Sequence, residues 1–300
     1  MELLRLIEGI RTPFLNSLFE LITRLGEETI GVVILCAIFW CISKRIGYII
    51  GVVYFLSGLT VQGMKIVFRI DRPWVADTNF KPVPAFEDYP RGYSFPSGHT
   101  QSATALFGTL GVLIKQKPVK VVCFLVALLV GFSRMYLGVH TLQDVLASLL
   151  ISSLFILISV LFMKNEEISK KRSLIISLVM VAYAAIVAVI ALVLYNNGTI
   201  EEEYISDCLK SVGAGVGFAV GMYIERVYIN FPVKSKNILM QVLKFIFGIA
   251  GVLAIQEGLK LIIGKGLAVD TLRYFLMISW VVVFYPIIIK RLFKAKESES

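Results

Sequence analysis

The stretch Ser133–Asp144, SRMYLGVHTLQD, sets an arginine, a histidine and an aspartate between long apolar runs. On a helix, His140 and Asp144 stand about one turn apart, so the carboxylate can hold the imidazole ring. Arg134 precedes His140 across Gly138, a residue able to bend the chain. A second cluster, Pro96-Ser97-Gly98-His99, opens an apolar run. Proline, small residues and then helix is a start signal, and a helix start offers unpaired amides to an anion. A third, KIVFRIDRP, places Lys65 and Arg72 about two helical turns apart, with Pro73 ending the helix beside the guanidinium. The chain has only two histidines, His99 and His140, and both fall in these clusters. Singly, each histidine reads as core packing and each cation as a snorkelling side chain. Together, with three basic residues on one membrane face, they describe an anion site. Ionisable groups at membrane depth are costly, so each needs a partner or a task.

The elements that must position these residues are membrane helices. Of 300 residues, 57% are hydrophobic and 17% charged, and the mean hydropathy is +0.80. The apolar residues come in runs near the length of a bilayer crossing. The formal charge of +9 does not indicate nucleic acid, because the basic residues cluster in short connectors between those runs. Cys36, Cys41, Cys123 and Cys208 show no paired metal spacing and read as small hydrophobes.

Residues 1–28, with apolar positions interrupted by Pro13, predict amphipathic helices lying at the membrane interface. They show no clean apolar core with a small-residue cleavage site, so no removable signal peptide is expected. Five spans are expected at about 29–43, 46–68, 97–114, 121–137 and 142–163. Four more follow at 173–195, 208–228, 238–258 and 271–289, with a cytoplasmic tail at 291–300. The loop 69–95 is the longest connector, the kind that carries function. With nine spans, all five basic connectors share one side, which places them in the cytoplasm and the three polar clusters outside. Gly213, Gly217 and Gly221 recur on one helix face, a close-packing surface within the bundle or between the copies of a homodimer. Glu257 and Lys260 read as a helix-end boundary or an ion pair.

The motifs resemble those of the phosphatidic acid phosphatase type 2 superfamily. Its pattern is a lysine, six residues and Arg-Pro; then Pro-Ser-Gly-His; then Ser-Arg, five residues, His, three residues and Asp. Lys65 to Arg72-Pro73, Pro96–His99, and Ser133-Arg134 to His140 to Asp144 meet it at every position. The resemblance covers about residues 25–163; the last four spans look like an extension. It implies an all-α, polytopic transmembrane bundle with a phosphatase core at 29–163 and a C-terminal extension at 173–290. It also implies that His140 attacks phosphorus to form a phosphohistidine. Asp144 then fixes its tautomer, and His99 protonates the leaving oxygen. Lys65, Arg72 and Arg134 would hold the phosphoryl oxygens, with Ser97 and the Gly98 amide as neutral donors.

Phosphoryl transfer asks mainly for in-line positioning and charge compensation, which three fixed cations can supply. No cofactor or metal is expected, since the nearby carboxylates Asp71, Asp77, Glu87 and Asp88 read as ordinary loop solvation. The expected activity is metal-independent hydrolysis of a phosphate monoester or pyrophosphate on a membrane lipid, at the outer face of the cell membrane. A membrane phospholipid, an isoprenyl pyrophosphate and a lipid A phosphate all fit. Trp74, Phe80, Phe86, Tyr89 and Tyr93 form an aromatic set suited to the headgroup mouth, or to plain interfacial anchoring. Two other functions stay open: a phosphotransferase using the same histidine, and a transporter or scaffold.

Overall fold

The computed structural model describes residues 1–83, 92–163, 168–234, 237–264 and 266–297, with only the backbone at 293–297. Every regular element among them is helical. That is what an apolar chain requires when its backbone groups must be satisfied without water. The helices are α1 (Glu2–Glu8), α2 (Pro13–Arg24), α3 (Glu28–Ile42), α4 (Lys44–Phe68), α5 (Pro73–Ala76) and α6 (98–113). They continue as α7 (Lys117–Tyr136), α8 (Leu142–Phe162), α9 (Lys170–Asn196), α10 (Glu202–Ile229), α11 (Ile238–Ile263) and α12 (Leu267–Leu292). Local chemistry sets the ends. Ser43 caps α4, Ser169 caps α9, and Thr141 with Asp144 forms a reciprocal capping box on α8. Arg69 leaves α4 in a left-handed conformation, φ 50°, ahead of Pro73.

Seven helices, α4 and α7 to α12, are long and apolar enough to cross a membrane. Two of the nine expected spans differ. α3 joins α2 across a 49° bend, the geometry of a broken span or a re-entrant pair. α6 rises only about 24 Å at 1.5 Å per residue, short of a ~30 Å hydrocarbon core. It also carries a π-helical turn at Thr104–Gly108. Hydrophobic runs report apolarity, and bends and short helices escape them.

The amino-terminal helices are more than surface anchors. They do turn an apolar face outward, with Leu6, Phe14 and Leu21 exposed. On the other face, Phe19 packs on Phe132 and Tyr136 at 5.3 and 4.3 Å between ring centres. Leu4 and Ile7 of α1 are buried with Phe80, Leu137 and Val139.

A shared core joins the first half of the chain to the second. Phe55 lies 5.0 Å from Phe218, and Trp40 Nε1 donates to the Val281 carbonyl at 2.9 Å. The glycine stripe of α10 is used within the chain. A methyl on Gly217 would come within 2.7 Å of the Phe275 carbonyl of α12, and one on Gly221 within 3.0 Å of Val282. At one end of the bundle, buried Glu225 receives Lys44 at 3.1 Å, and Arg226 donates to the Ile168 carbonyl at 2.8 Å. Lys290 donates to the Ile229 carbonyl there too. Several basic connectors therefore gather at this end, opposite the cluster described next. Glu257 and Lys260 stand 4.0 Å apart and exposed, a surface pair of little consequence.

Candidate active site

His140 lies in the turn between α7 and α8. Gly138, at φ 77°, folds that turn back so that the amides of Val139 and His140 both donate to the Arg134 carbonyl, at 3.1 and 3.2 Å. Arginine and histidine therefore share one turn by backbone geometry. Asp144 follows in the first turn of α8. Its Oδ2 accepts from Ser94 Oγ at 2.5 Å, from the Thr141 amide at 2.8 Å and from His140 Nδ1 at 3.3 Å. Arg72 Nη1 meets the other ring nitrogen, Nε2, at 2.9 Å. A guanidinium only donates, so Nε2 is the unprotonated nitrogen and Nδ1 carries the proton toward Asp144. Burial first, then the charges of Arg72, Arg134 and Lys65, hold the His140 pKa well below its usual 6.5. The imidazole is neutral, with its lone pair facing a cation.

The three expected cations converge here. Arg72, 6% exposed, is also fixed by donation to the carbonyls of Gly92 at 2.9 Å and Val139 at 3.0 Å. Arg134, 2% exposed, donates Nη1 to Thr23 Oγ1 at 2.7 Å, while its buried Nε has no hydrogen-bond partner among the described residues. A buried guanidinium N–H without an acceptor is expensive, and it is the donor a phosphoryl oxygen would use. Lys65, in the last turn of α4, donates to the Tyr93 carbonyl at 3.1 Å.

The Pro-Ser-Gly-His segment starts α6 and is tied to the same place. The Ser97 amide donates to the Asp144 carbonyl at 3.2 Å, and Ser148 Oγ donates to the Ser97 carbonyl at 2.8 Å. The Ser97 hydroxyl accepts from Thr100, through the amide at 3.4 Å and Oγ1 at 2.9 Å, so here it serves as a helix cap. A methyl on Gly98 would meet nothing within 4 Å, which leaves its backbone open to a ligand. His99 follows, in the field of Arg134, His140, Lys65 and Arg72. Gly26 seats it: a methyl there would come within 2.7 Å of the His99 carbonyl.

Other expectations change. Phe80 is buried beneath Arg11, 5.4 Å from its ring centre, and belongs to the core under α1, not to a lipid-facing mouth. Trp74 lies 5.8 Å from the Arg72 guanidinium, and Tyr93 stacks on Tyr204 of the extension at 4.3 Å. Asp77 pairs with Arg5 at 2.6 Å. Phe86, Glu87, Asp88 and Tyr89 lie outside the described residues. Among the described residues no three His, Cys, Asp or Glu side chains gather as a metal-holding group. Ser94 and Thr23 were missed by sequence reasoning. Neither stands in a recognisable motif, and each reaches its partner only through folding.

Fold and site together define a multi-pass membrane protein with a buried, cation-rich anion centre around a tautomer-locked histidine. Residues 46–168 match the PAP2 superfamily, and residues 209–297 match the transmembrane extension of PAP2 superfamily phosphatases. A phosphatidylglycerophosphatase B of Bacillus subtilis is 30% identical over 46% of this chain and 70% of its own length. An undecaprenyl-diphosphatase of Sulfolobus acidocaldarius is 28% identical over 57% of this chain and 81% of its own. The sphingosine-1-phosphate phosphatase 2 of Mus musculus is 25% identical, but its match runs over 90% of this chain and 77% of its own. The chain belongs to the PAP2 superfamily. The match to the extension takes in most of α10 with α11 and α12, while α9 lies between the two matched regions.

Proposed function

We propose that this protein hydrolyses a phosphate monoester or diphosphate on a membrane lipid, through a phosphohistidine on His140 and without a metal ion. The observation that carries the reading is the line Asp144–His140–Arg72, which leaves the Nε2 lone pair unprotonated inside a cationic pocket. Nε2 attacks phosphorus, the P–O bond to the lipid breaks, and His99 supplies the proton to the leaving oxygen. Asp144 steadies the charge that develops on the ring as the new P–N bond forms. Arg134, Arg72 and Lys65 take up the charge on the phosphoryl oxygens, and the Gly98 amide adds a neutral donor. Water then attacks the phosphohistidine, with His99 accepting its proton, and phosphate leaves.

The core, residues 29–163, carries the chemistry, and the extension, 173–290, forms a wall beside it. On this reading the chain crosses the cell membrane in nine segments, two of them short or bent, and the site opens on its outer face. The gathering of basic connectors at the opposite end supports that orientation. Relatives named for undecaprenyl diphosphate, phosphatidylglycerophosphate and sphingosine 1-phosphate support a lipid substrate.

The test uses purified protein in detergent, given these lipids with and without EDTA, with released phosphate and alkali-quenched phosphoprotein measured separately. Wild-type protein should release phosphate equally in EDTA and form a base-stable, acid-labile phosphoprotein. His140→Ala should do neither. A mutant retaining more than about a tenth of the wild-type rate would rule out His140 as the nucleophile.

A further inference from the structure

Between α3, α4 and α6 on one side and α10, α11 and α12 on the other lies a cavity of about 330 Å³. Gly98, next to His99 in the Pro-Ser-Gly-His segment, is in its wall. Its lining includes the apolar Val32, Phe55, Val252 and Met277 and the charged Glu28, Asp207 and Lys210. Asp207 is balanced by Lys210 at 2.9 Å. Glu28, exposed where it lines the cavity, makes no hydrogen bond or ion pair among the described residues, with Asp207, Lys210 and Lys65 within its field. Lys65 gives its ammonium to the Tyr93 carbonyl instead.

An unpaired carboxylate beside a phosphate site works against a plain acidic lipid, because it repels the charge that the three cations attract. It makes sense if the substrate brings a positive charge of its own, placed a few bonds from the phosphate. Resting on the phosphatase reading above, we propose that this cavity receives an ammonium group of the substrate, with Glu28 as its counter-ion. The preferred substrate is then an amine-bearing lipid phosphate. Its phosphate lies against His140, its ammonium lies in the cavity past Gly98, and its chain follows the apolar lining. The extension thus acts in recognition, since the chain supplying Asp207, Lys210, Val252 and Met277 is absent from the catalytic core.

The experiment compares three probes in mixed micelles: a long-chain 2-amino-alcohol 1-phosphate, its N-acetyl derivative and its N-trimethyl derivative. All share one chain and one phosphate; acetylation removes the charge, and trimethylation keeps it while adding bulk. The amine should exceed the N-acetyl probe in kcat/KM by about 10-fold or more, as expected for a charge-assisted contact. The trimethyl probe should side with the amine. In Glu28→Gln the ratio between amine and N-acetyl probes should collapse toward one, and Glu28→Asp should restore part of it. Equal kcat/KM for the amine and N-acetyl probes in wild type, with phosphate released from both, overturns the ammonium site and leaves the phosphatase reading standing. A trimethyl probe as poor as the acetyl one also overturns it, since bulk would then explain the preference. So does a preference that survives Glu28→Gln. Release of phosphate from none of the three or from any other lipid phosphate would defeat the phosphatase reading and this proposal with it. The wild-type comparison stands even if the variants fail to fold.

Discussion

Arg72 Nη1 donates to Nε2 of His140 at 2.9 Å, while Asp144 Oδ2 stands 3.3 Å from the other ring nitrogen. Donor on one side and acceptor on the other leave the imidazole a single tautomer, the one whose Nε2 can attack. The guanidinium lies on the Nε2 lone pair, the direction from which phosphorus would have to approach. In the proposed mechanism the substrate's phosphoryl oxygen takes that hydrogen bond from the ring and frees the lone pair for phosphorus.

Arg72→Lys keeps the charge but cannot span Nε2 and the Val139 and Gly92 carbonyls together. We expect phosphoprotein formation to slow by about 100-fold, the scale of losing one pre-organised donor. Inhibition by inorganic vanadate, which mimics the five-coordinate phosphoryl group, should weaken in parallel. A variant within about 3-fold of wild type would show that Arg72 does not touch the reacting group.

Ser94→Ala removes the 2.5 Å hydrogen bond to Asp144 and leaves the carboxylate with its other two donors. Hydrogen bonds to a charged group are worth about 1.5–3 kcal/mol, so kcat should fall roughly 10- to 100-fold. KM should change little, because Ser94 orients the ring and does not bind the phosphate. Steady-state kinetics separates the two parameters, and a change confined to KM would refute this role.

Thr23 lies in α2, far from every motif, yet it holds Arg134 Nη1 at 2.7 Å. Thr23→Val preserves shape and deletes the acceptor, leaving a second buried donor of Arg134 without a partner. We expect kcat/KM to drop about 10-fold, with Thr23→Ser close to wild type. Equal activity of the valine and serine variants would make α2 a packing element only.

The pH profile follows from His140. In the proposed mechanism its neutral form attacks, and its pKa lies below 6.5 through burial and the neighbouring cations. Phosphoprotein formation should therefore persist as pH falls through 6.5, and its acid limb should appear lower. Stability moves in the same direction. Below 6.5 the unfolded chain binds a proton that the native site refuses, so the melting temperature declines as pH falls toward the folded pKa. An acid limb at or above 6.5 that belongs to the enzyme, not to the substrate, would contradict the assignment.

The sequence by itself determined what is local. The four-residue gap kept His140 near Asp144, although His140 lies in the turn before α8 and not on a shared helix face as expected; the capping box of Thr141 and Asp144 was written three residues apart, and long apolar runs marked most of the membrane helices. The three cations and His99 come together from motifs that each sit near a helix end, where short-range rules hold. Tertiary structure alone decided the rest. Thr23 meets Arg134 across 111 residues and Ser94 meets Asp144 across 50, contacts that no periodicity encodes. The glycine stripe of α10 announced a close neighbour but not which one; only folding chose α12. Phe80 looked like a membrane-surface aromatic until α1 covered it, because burial depends on what packs above a residue and not on its type. The cavity by Glu28 exists only because two parts of the chain, far apart in sequence, close around it.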